Sequence, residues 1–522
     1  MLRFQDRRSC LEYSFIEVLQ SFSLAPYKHI IMPKKKKNHS STAEGATRRT
    51  ARKKRFWRWI IPIAHIMGLF TSVQAIMESR TPQGAIAWGI SLNTVPYVAV
   101  PAYWVFGRSK FQGYVVARQE EIIETNPIAQ KLRDDITSEQ FRVEAEDSFG
   151  KVLTELGRLP YTRRNHADLL IDGEATFDAI FKAIDEAEDY ILVQFYIIRD
   201  DDLGRKLKNR LIARAKEGIR VFFLYDAFGS VKLPMLYIRD LNDAGIQVQE
   251  FRSTRYQLNF RNHRKIVVVD GKVAFVGGHN VGDEYLGNLE SMSPWRDTHL
   301  QISGPIVQCI QIPFIEDWHW TSGEFIRPLN WDPDKSPEGS DMEALCLPTG
   351  PADEFETCNL FFLAAINSAK KRAWIASPYF VPDEPIISAL QLAALRGVDV
   401  RVLIPEKPDS KLVGLSAFSY LPDMEKADIQ VYRYTQGFLH QKVILIDDDF
   451  AAVGTANFDN RSFRLNFEVT VAVHDTTFAS QVDAMLRKDF SQSNLASAKD
   501  LEERGFPFRF AVRVSRLLAP IQ

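Results

Sequence analysis

Two stretches of this chain, 177 residues apart, carry the same spaced set of polar residues around the same kind of apolar run. The first reads His263-Arg-Lys265-Ile-Val-Val-Val-Asp270 and is followed by Gly277-Gly278-His-Asn280. The second reads His440-Gln-Lys442-Val-Ile-Leu-Ile-Asp447 and is followed by Gly454-Thr455-Ala-Asn457. In both, Asn stands 17 residues after His, and the first Gly stands 7 after Asp. One His-x-Lys-x-x-x-x-Asp arises by chance in roughly one chain in thirty of this length. Two in register, each with its Gly and Asn, point to a duplication.

The surrounding pattern repeats as well. A β-rich run over 190–198 precedes a helical pattern over 202–217 that stops at Gly218, and a second β run covers 221–225. The same order returns as strand 373–377, helix 384–396 stopping at Gly397, and strand 400–404. Tyr196 matches Tyr379 at an offset of 183, and Gly218 matches Gly397 at an offset of 179. A drifting offset is what small insertions leave in an old duplication. Alternating strand and helix predicts βαβ units in a mixed or parallel sheet. The expected body is two such repeats about a pseudo-twofold, over 165–345 and 346–522, after a polar connector over 108–164.

Ahead of the body lie two long uncharged segments. Trp59 to Met77 is 19 residues and Gly84 to Phe106 is 23. Both reach the roughly 20 residues that span a bilayer. The six residues between them allow only a tight connection, so 57–107 is read as a transmembrane hairpin. Trp57, Trp59, Tyr103, Trp104 and Phe106 sit at its ends, as interfacial aromatics do.

Charge gives the orientation. Residues 1–58 hold 15 Lys/Arg and 4 Asp/Glu, a local net of +11 against −1 for the whole chain, so the rest carries −12. Eleven of those basic residues fall in 34–58, the hairpin loop holds only Arg80, and Arg108, Lys110 and Arg118 follow the second segment. The positive-inside rule then places both ends, and the body, in the cytoplasm. The basic tail over 1–56 suits an anionic lipid surface. Only four cysteines occur, without a Cys-x-x-Cys pair, which argues against a zinc framework and fits a reducing compartment. An acidic body argues against nucleic acid as partner.

The residues between each His and Asp are apolar and mostly β-branched, so each motif lies on a buried strand. Side chains alternate faces along a strand. His263 and Lys265 therefore point one way and Asp270 the other, with His440, Lys442 and Asp447 repeating this. Asp270 and Asp447 are expected to fix the strand end or the adjoining loop.

The paired motifs resemble the HKD motifs of the phospholipase D superfamily, and the body over 165–500 fits that family. The stretch from Thr81 to Gly107 resembles the membrane hairpin of bacterial cardiolipin synthases, as do Gln194-Phe-Tyr196, Pro294-Trp-Arg-Asp-Thr-His299 and Ser377-Pro-Tyr-Phe-Val-Pro-Asp383. The resemblance implies a catalytic set of His263, Lys265, Asp270, His440, Lys442 and Asp447, the two Asp being part of the motif by name. It further implies that Asn280 and Asn457 stabilise phosphate oxygens. A carboxylate 28 residues after the His orients it in this superfamily. Glu468 stands at that distance from His440, opening a strand. Position 28 after His263 is Ser291, and Asp297, after a six-residue insertion, is the stand-in.

The implied chemistry needs no metal and no cofactor, because the lysines supply positive charge. One neutral imidazole attacks phosphorus and forms a covalent phosphohistidine, while the other donates to the leaving oxygen. The symmetry of the copies leaves open which attacks. Membrane confinement favours a lipid hydroxyl over water as second nucleophile. The implied reaction joins two phosphatidylglycerol molecules into cardiolipin and glycerol at the bacterial plasma (inner) membrane. The alternatives are a phospholipase D, a synthase using phosphatidylethanolamine as donor, a nuclease, and a membrane scaffold without catalysis.

Overall fold

The computed structural model describes residues 42–79, 81–107, 114, 141–143, 147–252, 259–333 and 339–522, with backbone alone for 42–59 and 291. Most of the basic tail, Arg80, Arg108, Lys110, Arg118, Cys10 and most of the connector lie outside the described residues. The chain divides into Met1–Ile63 and Ala64–Gln522. Of the first unit, helical backbone is described from Thr42 onward.

In the second unit, that helix continues to Glu78. Ile60–Glu78 is the one helix among the described residues long and apolar enough to cross a membrane. The second expected span is not one helix. It is Pro82–Thr94 and Pro96–Phe106, meeting at Val95, whose φ is −134°. Pro96 supplies no amide hydrogen and disfavours helical backbone in the residue before it, so the break falls there. A Cβ on Gly68 would overlap the Leu92 carbonyl oxygen, so glycine lets these helices approach closely. Asn93 Nδ2 donates to Ser72 Oγ at 2.8 Å beside them. Ala75, Leu92, Ala99, Val100 and Tyr103 form their buried seam, while Leu69, Phe70, Val73, Ile76 and Met77 face outward.

The body is built on one sheet of sixteen described strands. Thr162–Ile171 and Met342–Thr349 pair antiparallel at its centre, with Thr162 opposite Ala344. From there the first half runs outward through Thr298–Ser303, Val273–Gly277, Ile266–Val269, Tyr190–Phe195, Arg220–Asp226 and Gln247–Phe251. The second half runs through Asn466–His474, Phe450–Gly454, Val443–Ile446, Arg372–Ala376, Asp399–Pro405 and Gln430–Tyr434. Strand for strand the order is identical, and Ser493–Leu495 is added at the second edge. The outer three strands of each half are parallel, as βαβ units require.

Local chemistry sets the elements. Asp201 caps the helix Asp202–Lys216, and Asp383 caps Glu384–Leu395, each by accepting a backbone amide. Both helices end at a glycine in left-handed backbone, Gly218 at φ 95° and Gly397 at φ 88°. The motif strands Ile266–Val269 and Val443–Ile446 are buried along their whole length, which is why their sequence is unbroken Val, Ile and Leu. Cys309, Cys346 and Cys358 are free and buried in this core.

Candidate active site

Both histidines sit just before the motif strands, at the seam between the halves. Arg261–Asn262 pairs parallel with the start of Asn466–His474, and the His263 amide donates to the Phe467 carbonyl at 2.9 Å. Phe438–Leu439 pairs in the same way with Trp295–Arg296, and the His440 amide donates to the Arg296 carbonyl at 2.7 Å. Each histidine-bearing segment therefore lies along the other half's strand.

This crossing exchanges the orienting carboxylates. Counting along the chain attaches Glu468 to His440 and Asp297 to His263. In the structure Nδ1 of His263 lies 2.9 Å from Glu468 Oε2, and Nδ1 of His440 lies 2.7 Å from Asp297 Oδ2. Neither half holds a complete pair. Glu468 is wholly buried and also accepts from the Thr455 and Ser462 hydroxyls at 2.6 and 2.8 Å and from Asn466 Nδ2 at 3.1 Å. Asp297 accepts from the Thr298 amide at 2.8 Å. In place of Thr455 the first half has Gly278, where a Cβ would overlap Asp297 Oδ1. The longer carboxylate comes with a hydroxyl and the shorter one with a glycine. That paired exchange was visible in the aligned motifs, whereas the crossing needs the sheet.

Nδ1 is thus engaged on both rings, which turns Nε2 toward a ligand. Burial pushes His263 down to about 4, against the pull of Glu468. Burial, Lys442, Lys265 and His263 push His440 well below the usual imidazole range. Glu468 lies below its ordinary value, since His263, Lys265 and Thr455 outweigh the opposing effect of burial. The ligand-free pair is therefore two neutral imidazoles, one beside an ionised glutamate.

Lys265 Nζ donates to the His263 carbonyl at 2.7 Å, and Lys442 Nζ donates to the His440 carbonyl and lies 2.9 Å from His440 Nδ1. Burial lowers Lys442 to about 8 and pushes Lys265 well below the ammonium range. A neutral His263 is present above about pH 4, and a charged Lys442 below about pH 8. Activity should accordingly rise as pH passes about 4 and fall as it passes about 8. A pH profile of kcat/KM for Lys442→Arg should show the alkaline limb moved upward by about a unit or more. An unmoved limb would assign it to another group.

The expected phosphate-binding amides differ from each other. Asn280 Oδ1 accepts from the Ile197 amide at 3.0 Å and its Nδ2 donates to Tyr285 Oη at 3.0 Å, so it also braces the turn after Gln194-Phe-Tyr196. Asn457 is buried with Oδ1 lacking a partner. Tyr196 was not singled out for chemistry by its sequence. Its ring packs edge-on to His263 at 5.0 Å, with Lys265 Nζ 5.5 Å from its centre.

Beneath the histidines lie two buried ion pairs. Arg264, in the first motif, donates to Asp317 at 2.9 Å and to the Glu468 carbonyl at 3.1 Å. Asp317 also accepts from Tyr114, Gln194 and Asn262, each at 2.7 Å. In the second half Gln441 and Arg296 share Asp489.

Asp270 and Asp447 stand at the opposite end of the motif strands. Asp270 accepts the amides of Glu188, Asp189 and Tyr190 at 2.7–2.8 Å. Asp447 accepts those of Lys370, Lys371 and Arg372 at 2.7–3.1 Å. Both have left-handed backbone, at φ 54° and 51°, and open the three-residue turns to the next strand. Each ties that turn to the start of the neighbouring strand, away from its histidine. Their carboxylates are thus occupied by backbone amides at the strand end, as the alternation of faces predicts. Asp270→Asn, which turns an NH2 toward amide donors, should cost about 1–3 kcal/mol. Thermal melting should show that loss, while folded protein keeps most of its activity.

Residues 180–318 and 362–490 match the family model described as cardiolipin synthase, PLD-like domain. The chain is 46% identical over 476 residues to a protein named Cardiolipin synthase A from Pseudomonas putida strain GB-1, covering 89% of this chain and 98% of that one. It is 47% identical to the protein of that name from Pseudomonas entomophila strain L48, with the same coverage. The crystal structure of phosphatidylserine synthase from Haemophilus influenzae matches with a TM-score of 0.54 at 15% identity, over 72% of this chain and 100% of that one, a likeness of fold alone.

Proposed function

Because this chain belongs to the cardiolipin synthase family of the phospholipase D superfamily, we propose that it transfers a phosphatidyl group from one phosphatidylglycerol to another, giving cardiolipin and glycerol. The observation that carries this reading is the pair of crossed His–carboxylate contacts, each with a lysine two residues on. Burial disfavours the charged forms of both imidazoles and both lysines, and a phosphodiester anion bound among them favours those charged forms again.

As the anionic phosphodiester binds, one imidazole takes up a proton from solvent at Nε2. Nε2 of the other attacks phosphorus, the P–O bond to glycerol breaks, and the glycerol oxygen leaves with that proton. A phosphatidyl-histidine results. The hydroxyl of a second phosphatidylglycerol then attacks phosphorus, the P–N bond breaks, and the second histidine takes the hydroxyl proton. Every step is reversible. Lys265 and Lys442, with the amides of Asn280 and Asn457, hold charge on the non-bridging oxygens. The carboxylates Glu468 and Asp297 fix the tautomers and steady the imidazolium.

The reaction belongs at a membrane, in this reading the bacterial plasma (inner) membrane, with the body on the cytoplasmic side. Ile60–Glu78 supports an anchor there, and the helices over 82–106 a return through the bilayer. An anionic lipid surface also suits the C-terminal helix Phe506–Leu517. Val512 and Ser515 pack on the body, and Arg516 is spent on Asp423 and Glu384. The outer face shows Phe506 and Leu517 at 71% and 78% exposure, with Phe510 and Val514 between them and exposed Arg509 and Arg513 alongside. Phe510→Asp with Leu517→Asp should weaken binding to phosphatidylglycerol vesicles about tenfold or more in a flotation assay.

Membranes holding this chain, given labelled phosphatidylglycerol and no nucleotide-activated lipid, should form cardiolipin and glycerol in equal amounts. Phosphatidic acid as main product would make the protein a hydrolase. Silence relieved by phosphatidylethanolamine would change the donor.

A further inference from the structure

The two sides of the reacting centre are related by the pseudo-twofold but differ in chemistry. Phe438 occupies beside Trp295 the place that Arg261 occupies beside Asn466. The His440 side is aromatic, with Trp295, Phe438 and Tyr285 rings 5.1, 5.9 and 6.2 Å from the imidazole. The His263 side is cationic. Arg261 Nη1 donates to the Phe260 carbonyl at 2.8 Å, and Arg461 Nη2 donates to the adjacent Asn259 carbonyl at 2.6 Å. Two guanidinium groups are thus held on consecutive carbonyls. Arg461 is further bound to Asn259 Oδ1 at 3.1 Å and the Ile521 carbonyl at 3.4 Å, both neutral acceptors.

Both arginines are half-buried, and Tyr196, whose ring packs against His263, accepts a hydrogen bond from Arg261. Burial and the like charge of Arg461 lower the pKa of Arg261, partly offset by Asp226. Arg261 is thus already partnered by Asp226 and by a hydrogen bond to the Tyr196 oxygen, and a further anion beside the two like charges favours both guanidinium groups more. The Arg261 guanidinium also lies 3.8 Å over the Phe228 ring. From there an apolar rim is exposed to solvent: Phe228 at 63%, Val231 at 75%, Met235 at 79% and Leu236 at 54%. Cationic groups meeting an apolar rim match an anionic phospholipid at its headgroup.

We propose that Arg261 and Arg461 hold the phosphate of the second anionic phospholipid, the acceptor, whose acyl chains lie over the rim from Phe228 to Leu236. This rests on the transfer reading above. The donor phosphate occupies the lysines, and the acceptor brings a second phosphate three carbons from its attacking hydroxyl. That phosphate needs its own cations, within a side chain's reach of the first site. Free glycerol, a neutral acceptor, does not.

The test compares two acceptors with the full chain in membranes. Cardiolipin formed from phosphatidylglycerol requires the anionic acceptor. Incorporation of labelled glycerol into phosphatidylglycerol uses the same intermediate with the neutral one. For Arg261→Gln and Arg461→Gln the ratio of cardiolipin to glycerol exchange should fall about tenfold or more. Arg461→Lys should recover part of it. An unchanged ratio, or equal loss of both products, overturns the subsite. Arg461 also holds the C-terminal residues, so Arg261→Gln keeps the test decisive if the Arg461 variant fails to fold. If the unmodified chain made neither product, the transfer reading itself would fall and the subsite with it, a result distinct from an unchanged ratio.

Discussion

Replacing either His263 or His440 with alanine should reduce cardiolipin formation by about four orders of magnitude or more, with the double variant no worse than the single ones. The loss is large because each ring performs a step no neighbour can take over. One forms the bond to phosphorus, and the other moves the proton that lets an alkoxide leave as an alcohol. The two losses differ in kind. A phosphodiester with a para-nitrophenol leaving group departs without a proton, so its cleavage needs the nucleophile and not the acid. One alanine variant should recover cleavage of that ester by about a hundredfold or more relative to phosphatidylglycerol, and the other should not. Recovery identifies the acid. Recovery of both, or of neither, would contradict a divided pair.

Much of this arrangement is legible in the sequence, for identifiable reasons. The motif strands announce themselves because a strand buried on both faces has to be apolar throughout. The helices ending at Gly218 and Gly397 do so because a left-handed turn favours glycine. The internal repeat supplies the order of strands, since two copies of one pattern adopt one topology. Other features are not local. The break at Val95 follows from Pro96, yet a count of uncharged residues passes over it. The exchange of carboxylates depends on Arg261–Asn262 and Phe438–Leu439, two-residue strands too short to show a period. The acceptor side depends on Arg461 and Asn259, 202 positions apart. Spacing along a chain describes one repeat well and says nothing of the seam where two repeats meet.

That seam yields the second large effect. Glu468→Gln and Asp297→Asn should each lower cardiolipin formation by about 10³–10⁴-fold, since an amide can present its NH2 to Nδ1 and favour the wrong tautomer. The fold should survive, because each substitution keeps the shape and one acceptor oxygen. The crossing adds a sharper expectation than loss alone. Glu468 serves His263, and Asp297 serves His440. With the para-nitrophenyl ester, Glu468→Gln should therefore behave as His263→Ala does, and Asp297→Asn as His440→Ala does. Pairing within each repeat would give the opposite correspondence, so one substrate and four variants separate the two. The same crossing has a physical corollary. A histidine braced from the other half is correctly oriented only when both halves are docked, so neither repeat alone presents an oriented imidazole. The pocket also carries two lysines whose ammonium forms burial disfavours and a bound phosphate favours. Orientation thus depends on the docked halves and charge on the arriving lipid, which keeps the reacting pair neutral until a phosphodiester is in place.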